Sequence, residues 1–239
     1  MQRKRFTWQL PARIEARLGE RTYGRQRTIF EDDHLLIILH TPPDPETHNR
    51  EAWVFLRKPD GSLMWNGQDN GEEKLKRLLK SYADLYDKLD DAEDDAQNAD
   101  DLLVVLEALA PLNRASTNLA NTLQSARNLI KDDPFLIAMR DEAYEVSRNF
   151  DLLQSDAKLA LDYRTAQSAE AQHARTLEMA RAQHKLNLIV AATFPLMAVA
   201  TVFGMNLFNG FEGFPGAFWI ALVLGIAVGA GTIHWVTQR

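Results

Sequence analysis

Residues 186–206, LNLIVAATFPLMAVATVFGMN, are 21 consecutive positions without a charged side chain. As a helix rising about 1.5 Å per residue they reach about 31 Å, close to the roughly 30 Å of a bilayer's hydrocarbon core. Few environments accept such a stretch, and it predicts a membrane-spanning helix with Pro195 near its middle. A second apolar stretch occupies residues 216–236, after a loop at 207–215 that holds no Lys or Arg. Before the first stretch stand Arg175, Arg181 and Lys185, and after the second stands Arg239. By the positive-inside rule both termini face the cytoplasm and the loop faces out. Phe218 and Trp219 near one end of the second stretch, and Trp235 near the other, suit interfacial positions.

Composition narrows the rest. The chain has 239 residues, a net charge of −6 and no cysteine. Disulfides and thiolate metal sites are excluded, and the acidic balance argues against nucleic acid as a partner. The basic start Met1-Gln2-Arg3-Lys4-Arg5 is followed by no apolar segment of signal-peptide type, so no cleavable signal is expected. Apolar character is concentrated at the C-terminal end. The sequence divides into a small β-rich unit at 1–71, a helical hairpin and stalk at 72–185, and two transmembrane helices at 186–239.

In the first part, Leu35-Leu36-Ile37-Ile38-Leu39 has strand length and is closed by Thr41-Pro42-Pro43-Asp44-Pro45. Trp53-Val54-Phe55-Leu56 and Ser62-Leu63-Met64-Trp65 flank the turn signal Pro59-Asp60-Gly61 and predict a hairpin. About 70 residues make a marginal core alone, so this unit is expected to lean on the helices or on another copy. From Glu72 onward Leu75, Leu78, Leu79, Tyr82, Leu85, Tyr86 and Leu89 recur at helical spacing. Residues 84–101 then carry nine acids and one base, Lys88, with a turn expected at Gln97-Asn98-Ala99. A second helix is predicted from about Asp100 to Ile130, kinked at Pro111. Asp133-Pro134 is a cap followed by a proline suited to a first helical turn. No breaker follows until Pro195, so one helix is expected from about Pro134 to Asn206, on the order of 110 Å by its rise. Between Arg164 and Lys185 it is rich in Ala, Gln, Ser and Thr, a composition that suits a bundle of copies around a wet lumen.

The end of the first span carries a family resemblance. It closes on Gly204-Met205-Asn206, has Phe194-Pro195 eleven or twelve residues earlier, and is followed by a brief loop and a last span. In that context the tripeptide is specific, and the chain resembles the CorA family of divalent-cation channels. More weakly, the resemblance extends over the helical region from about Leu75. It implies a homopentameric, funnel-like, mainly α-helical membrane protein in which Gly204, Met205 and Asn206 form the outer ion-selecting mouth. Two departures stand out. The tail after the second span, Thr237-Gln238-Arg239, lacks a basic cluster, and the N-terminal unit is shorter than is usual in the family.

The residues themselves suit such a role. Mg²⁺ prefers six oxygens and gives up water reluctantly, so a ring of neutral Asn206 amides can read the hydrated ion and still release it. Alternatively Asn206 only caps a helix end. Stepping back along one face gives Gly204, Thr201, Met197, Phe194, Val190, Leu186 and Gln183, apolar rings of the kind that gate by dewetting; the same side chains equally suit lipid or a neighbouring helix. Continued down the stalk, this face reaches Thr176, Gln172, Ala169, Thr165 and Asp162, the last a candidate inner metal ligand. Glu212, six residues past Asn206, sits where many family members carry an acid; it either concentrates cations outside or is an ordinary loop acid. The acidic run at 84–101 either attracts cations or is a solvated turn. Gly225 and Gly229 form a small-xxx-small pair suited to helix packing. No nucleotide loop, nucleophile constellation or metallo-hydrolase spacing occurs, so no enzyme is expected and no cofactor beyond the transported cation. The leading expectation is Mg²⁺ influx, with Co²⁺ or Ni²⁺ as further ions, across the cell membrane. The rivals are a ZntB-like zinc transporter and a ligand-gated or non-conducting membrane effector on the same scaffold.

Overall fold

The computed structural model describes residues 10–19, 23–44, 49–204, 213, 214 and 216–237; within its helices, the side chains at 196, 199, 200, 202–204, 217, 218, 221, 233, 236 and 237 are not among those described. The chain forms two compact units, Met1–Thr165 and Ala166–Arg239.

The first unit opens with a short helix, α1 (Ala12–Ala16), and four strands, β1 (Arg27–Glu31), β2 (His34–His40), β3 (Ala52–Arg57) and β4 (Leu63–Trp65). They form an antiparallel meander in sequence order. The unbroken apolar run of β2 follows from burial on both faces. Leu35, Ile37 and Leu39 enter the main core, while Leu36 and Ile38 pack with Ile14, Leu18, Ile29, Val54 and Leu56 in a second cluster. The β1–β2 connection is a two-residue turn with Asp32 and Asp33 both at positive φ, 49° and 58°, the type I′ geometry that matches strand twist. At the predicted β3–β4 hairpin, Gly61 adopts a φ of 88° and Asp60 Oδ1 accepts from the Ser62 amide at 2.9 Å.

Three helices complete this unit: α2 (Gly71–Asp94), α3 (Ala99–Leu129) and the start of α4 (Pro134–Gly204). Gly71 is required where it stands, because a Cβ there would lie 2.5 Å from the Leu63 carbonyl oxygen. The predicted stripe of α2 is buried at Leu75, Leu78, Leu79 and Tyr82, and the Tyr82 hydroxyl donates to the His40 carbonyl at 3.1 Å. Burial pushes that phenol well above its ordinary pKa. α3 runs through Pro111 as one element. Leu136, Met139, Ala143, Val146, Phe150, Leu153 and Ala157 of α4 are buried at three- and four-residue spacing against the same core. Sheet and helices therefore share one core, and the β-rich segment leans on the helices as its size requires.

The turn between α2 and α3 is held by a capping box. Asn98 Oδ1 accepts from the Asp101 amide at 3.0 Å, and Asp101 Oδ2 accepts from the Asn98 amide at 3.2 Å. At the start of α4, Asp133 Oδ1 accepts from the Phe135 and Leu136 amides at 2.9 and 3.2 Å. The other oxygen of the same carboxylate accepts from Arg57 Nε of β3 at 2.5 Å, with both side chains largely buried.

The second unit holds the remainder of α4 and α5 (Ala217–Thr237). Every residue from 166 to 187 is exposed, in keeping with the Ala-, Gln- and Thr-rich composition of that stretch. α5 contains 21 residues without Asp, Glu, Lys or Arg. Among the described residues, no helix is long and apolar enough to cross a membrane.

Candidate functional site

The candidate site is built on the second unit's part of α4, whose two faces differ. Leu188, Ala191, Ala192 and Pro195 are half-buried, and α5 approaches that side. Gly229 is buried, and a Cβ on it would meet the Ala192 carbonyl oxygen at 2.8 Å. Thr232 Oγ1 lies 3.1 Å from the Ala191 carbonyl oxygen. Gly225, one turn before Gly229, is buried as well. Gly229 of the small-xxx-small pair thus allows close helix packing.

The opposite face is bare. Gln183, Leu186, Val190, Phe194, Met197 and Thr201 are all exposed, with Phe194 at 68% and Met197 at 65%. At about 100° per residue these positions fall within an arc of about 80°, centred about 150° from the side that meets α5. Among the described residues, the sequence stripe is therefore one continuous exposed surface. The Thr201 and Thr193 hydroxyls donate to the Met197 and Ile189 carbonyls of their own helix at 2.7 and 2.9 Å, which satisfies both within an apolar stretch. Gly204 is the last residue of α4, and Met205, Asn206 and Glu212 lie outside the described residues.

Farther down, Thr176, Gln172, Ala169, Thr165 and Asp162 are exposed too. Among the described residues no three or more His, Cys, Asp or Glu side chains are placed to hold a metal ion, so Asp162 joins no ligand group within one chain. The acidic turn is organised rather than loose. Arg164 donates to the Ala96 and Asn98 carbonyls at 2.7 and 3.1 Å, placing a cation at the C-terminal end of α2, where the helix dipole favours one. The Glu93 carboxyl is held above the usual range, first by desolvation and then by the neighbouring Asp94, Asp156 and Asp90 charges, with Arg164 opposing. Sequence reading identified this run of acids but not Arg164, 66 residues from Asn98 in the chain.

A separate open groove of about 640 Å³ runs between the loops after β2 and before β3 and the helix α2. Thr41, Pro43, Arg50, Ser81, Asp84 and Lys88 help line it, a mixture of both charges that singles out no ligand.

No family model and no curated protein sequence matches the chain. Solved structures do. The full-length CmaX protein aligns with a TM-score of 0.50 at 17% identity, covering 98% of this chain and 82% of that one. The CorA magnesium transporter from Methanocaldococcus jannaschii aligns at 0.44 and 16% identity, over 95% and 82%. The ZntB cytoplasmic domain from Vibrio parahaemolyticus aligns at 0.45 and 12% identity, over 70% and 80%. The likeness to CmaX carries the comparison, and at this identity it is a likeness of fold. The chain shares the fold of the full-length CmaX protein.

Proposed function

We propose that this chain is a subunit of a self-assembled divalent-cation channel of the cell membrane, with Mg²⁺ as the leading ion. One observation carries the reading: the exposed apolar stripe Leu186, Val190, Phe194 and Met197 on α4, turned away from α5. Among the described residues of a single chain this surface is uncovered, and two helices cannot enclose a pore. Several copies, five by resemblance, would bring the stripes together around one axis. In this reading 186–206 and 216–236 span the bilayer, 207–215 faces out, and both termini lie in the cytoplasm. The apolar rings form the constriction, and the Asn206 amides form the outer mouth together with Gly204 and Met205.

The residues do three things in this scheme. Asn206 offers neutral oxygens to a hydrated ion, which favours entry without trapping. The rings at Met197, Phe194, Val190 and Leu186 leave no polar foothold, so conduction requires the constriction to wet. The membrane potential drives the ion inward with about 4.6 kcal/mol per divalent charge per 100 mV. Asp162 and the acids at 84–101 would meet the ion on the cytoplasmic side.

Ion flux into proteoliposomes tests this. Mg²⁺ uptake should fall by at least tenfold in Asn206→Ala and rise in Met197→Ser, which wets the constriction. Uptake unchanged by Asn206→Ala would remove the mouth from the reading. Zn²⁺ outcompeting Mg²⁺ in the same vesicles would reassign the ion.

A further inference from the structure

We infer that Thr232 of α5 is a positioning residue for α4: it takes up the carbonyl that Pro195 leaves open, and acts as a releasable latch at that missing hydrogen bond. Proline has no amide hydrogen, so at position 195 it cannot donate to the carbonyl four residues back, and its ring crowds that carbonyl outward. That carbonyl belongs to Ala191. In an apolar surrounding an unpaired backbone carbonyl is costly, and proline in such helices is tolerated where a neighbouring helix supplies the missing donor. Thr232 Oγ1 stands 3.1 Å from Ala191 O, in the right place to do so.

Two further features fit this role. Gly229, one turn before Thr232, lies so close to Ala192 that any Cβ would come within 2.8 Å of the Ala192 carbonyl oxygen. The absence of a side chain there is what lets the Thr232 hydroxyl reach α4. The same hydroxyl is also 2.8 Å from Gly229 O of its own helix. A hydroxyl has one proton to give, so it serves α4 or α5 by a rotation about one bond. When donated to α4, the proton ties the turn before Pro195 to α5. When donated to Gly229, it leaves the Ala191 carbonyl without that donor, and α4 can bend at Pro195. The bare stripe straddles this point, with Val190 before it and Phe194 and Met197 beside and after it. The latch therefore sets how the two halves of the proposed constriction line up.

This inference rests on the two-span reading above, but its test does not depend on transport. It is a double-mutant cycle on the full chain in detergent micelles, read by thermal unfolding without added metal. Thr232→Val removes the donor at nearly constant volume and should lower Tm by about 2–4 °C, and Thr232→Ser should restore it. Pro195→Ala gives Ala191 an amide donor from its own helix. In that background Thr232→Val should cost little, so the two changes are strongly non-additive. Hydrogen exchange over residues 188–198 should quicken several-fold in Thr232→Val and return to its starting rate in Thr232→Ser. Equal losses with and without Pro195, or no loss in either, would overturn the latch. Should Thr232→Val alone not fold, the pair with Pro195→Ala must; a pair that also fails to fold overturns it too. A wild-type protein that passes no ion would sink the transport reading and leave the cycle untouched, whereas an additive cycle would sink the latch alone.

Discussion

The two compact units treat apolar residues in opposite ways. In the first, Leu35, Phe55, Tyr82, Leu109 and Phe150 are fully enclosed, and the sheet, α2, α3 and the start of α4 share one core. In the second, Leu186, Ile189, Phe194, Met197, Ile220, Val223 and Leu224 are all more than half exposed. Among the described residues of this unit, the buried positions are the small Gly225 and Gly229. The first unit is built to exclude water by itself. The second leaves large apolar side chains exposed, and the proposed assembly would cover them. Exposed patches of this extent mark an interaction surface rather than a failed core.

Matched substitutions sharpen that contrast. Phe150 is fully buried and meets Tyr86 edge-on at 5.9 Å between ring centres, so Phe150→Ala should cost about 3–5 kcal/mol in denaturant unfolding of the full chain. Phe194→Ala removes the same ring from an exposed site and should leave that transition in place while weakening self-assembly, measured by light scattering in micelles. Equal unfolding losses at the two sites would erase the distinction between the units. Next in size, Arg57→Ala should cost about 3 kcal/mol, because it strands the largely buried Asp133 carboxylate; chemical unfolding measures it. In the second unit Gly229→Ala should cost about 2 kcal/mol through overpacking on Ala192. Gly231→Ala, which meets nothing within 4 Å, should be silent or slightly stabilising.

The smallest effect is a pH dependence confined to the first unit. Burial, with Arg50 adding to it, holds the His40 imidazole below its ordinary 6.5, against one backbone hydrogen bond that raises it. The unfolded chain then binds the proton first. Stability is unaffected above about pH 6.5, falls as pH drops below that value, and levels off below the lowered pKa. His40→Gln should flatten that slope in unfolding measured across the same range, and a slope that persists would assign it to another group.

Legibility followed the same division. β2 is visible as an apolar run because both its faces are buried, and the β3–β4 hairpin because Asp60-Gly61 carries its turn chemistry. β1 has only Ile29 and Phe30 as large apolar residues, and its turn uses Asp32-Asp33 instead of a glycine. Neither β1 nor the five-residue α1 therefore stands out from periodicity. α4 could be read from Asp133-Pro134 onward because a cap and a missing breaker are local signals. The division of the chain at Thr165 and Ala166 falls inside one helix, where the change to an Ala-, Gln-, Ser- and Thr-rich composition near Arg164 is its mark in the sequence. The stripe on α4 was legible because 3.6-residue periodicity is enough to define a face. Which face α5 covers was not, because Gly229 and Thr232 are assigned to it only by three-dimensional proximity. Asn206 is legible solely as sequence, since it lies outside the described residues.

Asp133 has a consequence that its two partners impose together. One oxygen grips the first amides of α4 while the other grips Arg57 of β3. Turning the helix about its own axis at that end would break the cap and the ion pair in the same motion. The first turn is thereby keyed to the sheet at a fixed azimuth, like a shaft pinned in its collar, and twist applied along α4 at that end is handed to β3 instead of being lost as slippage.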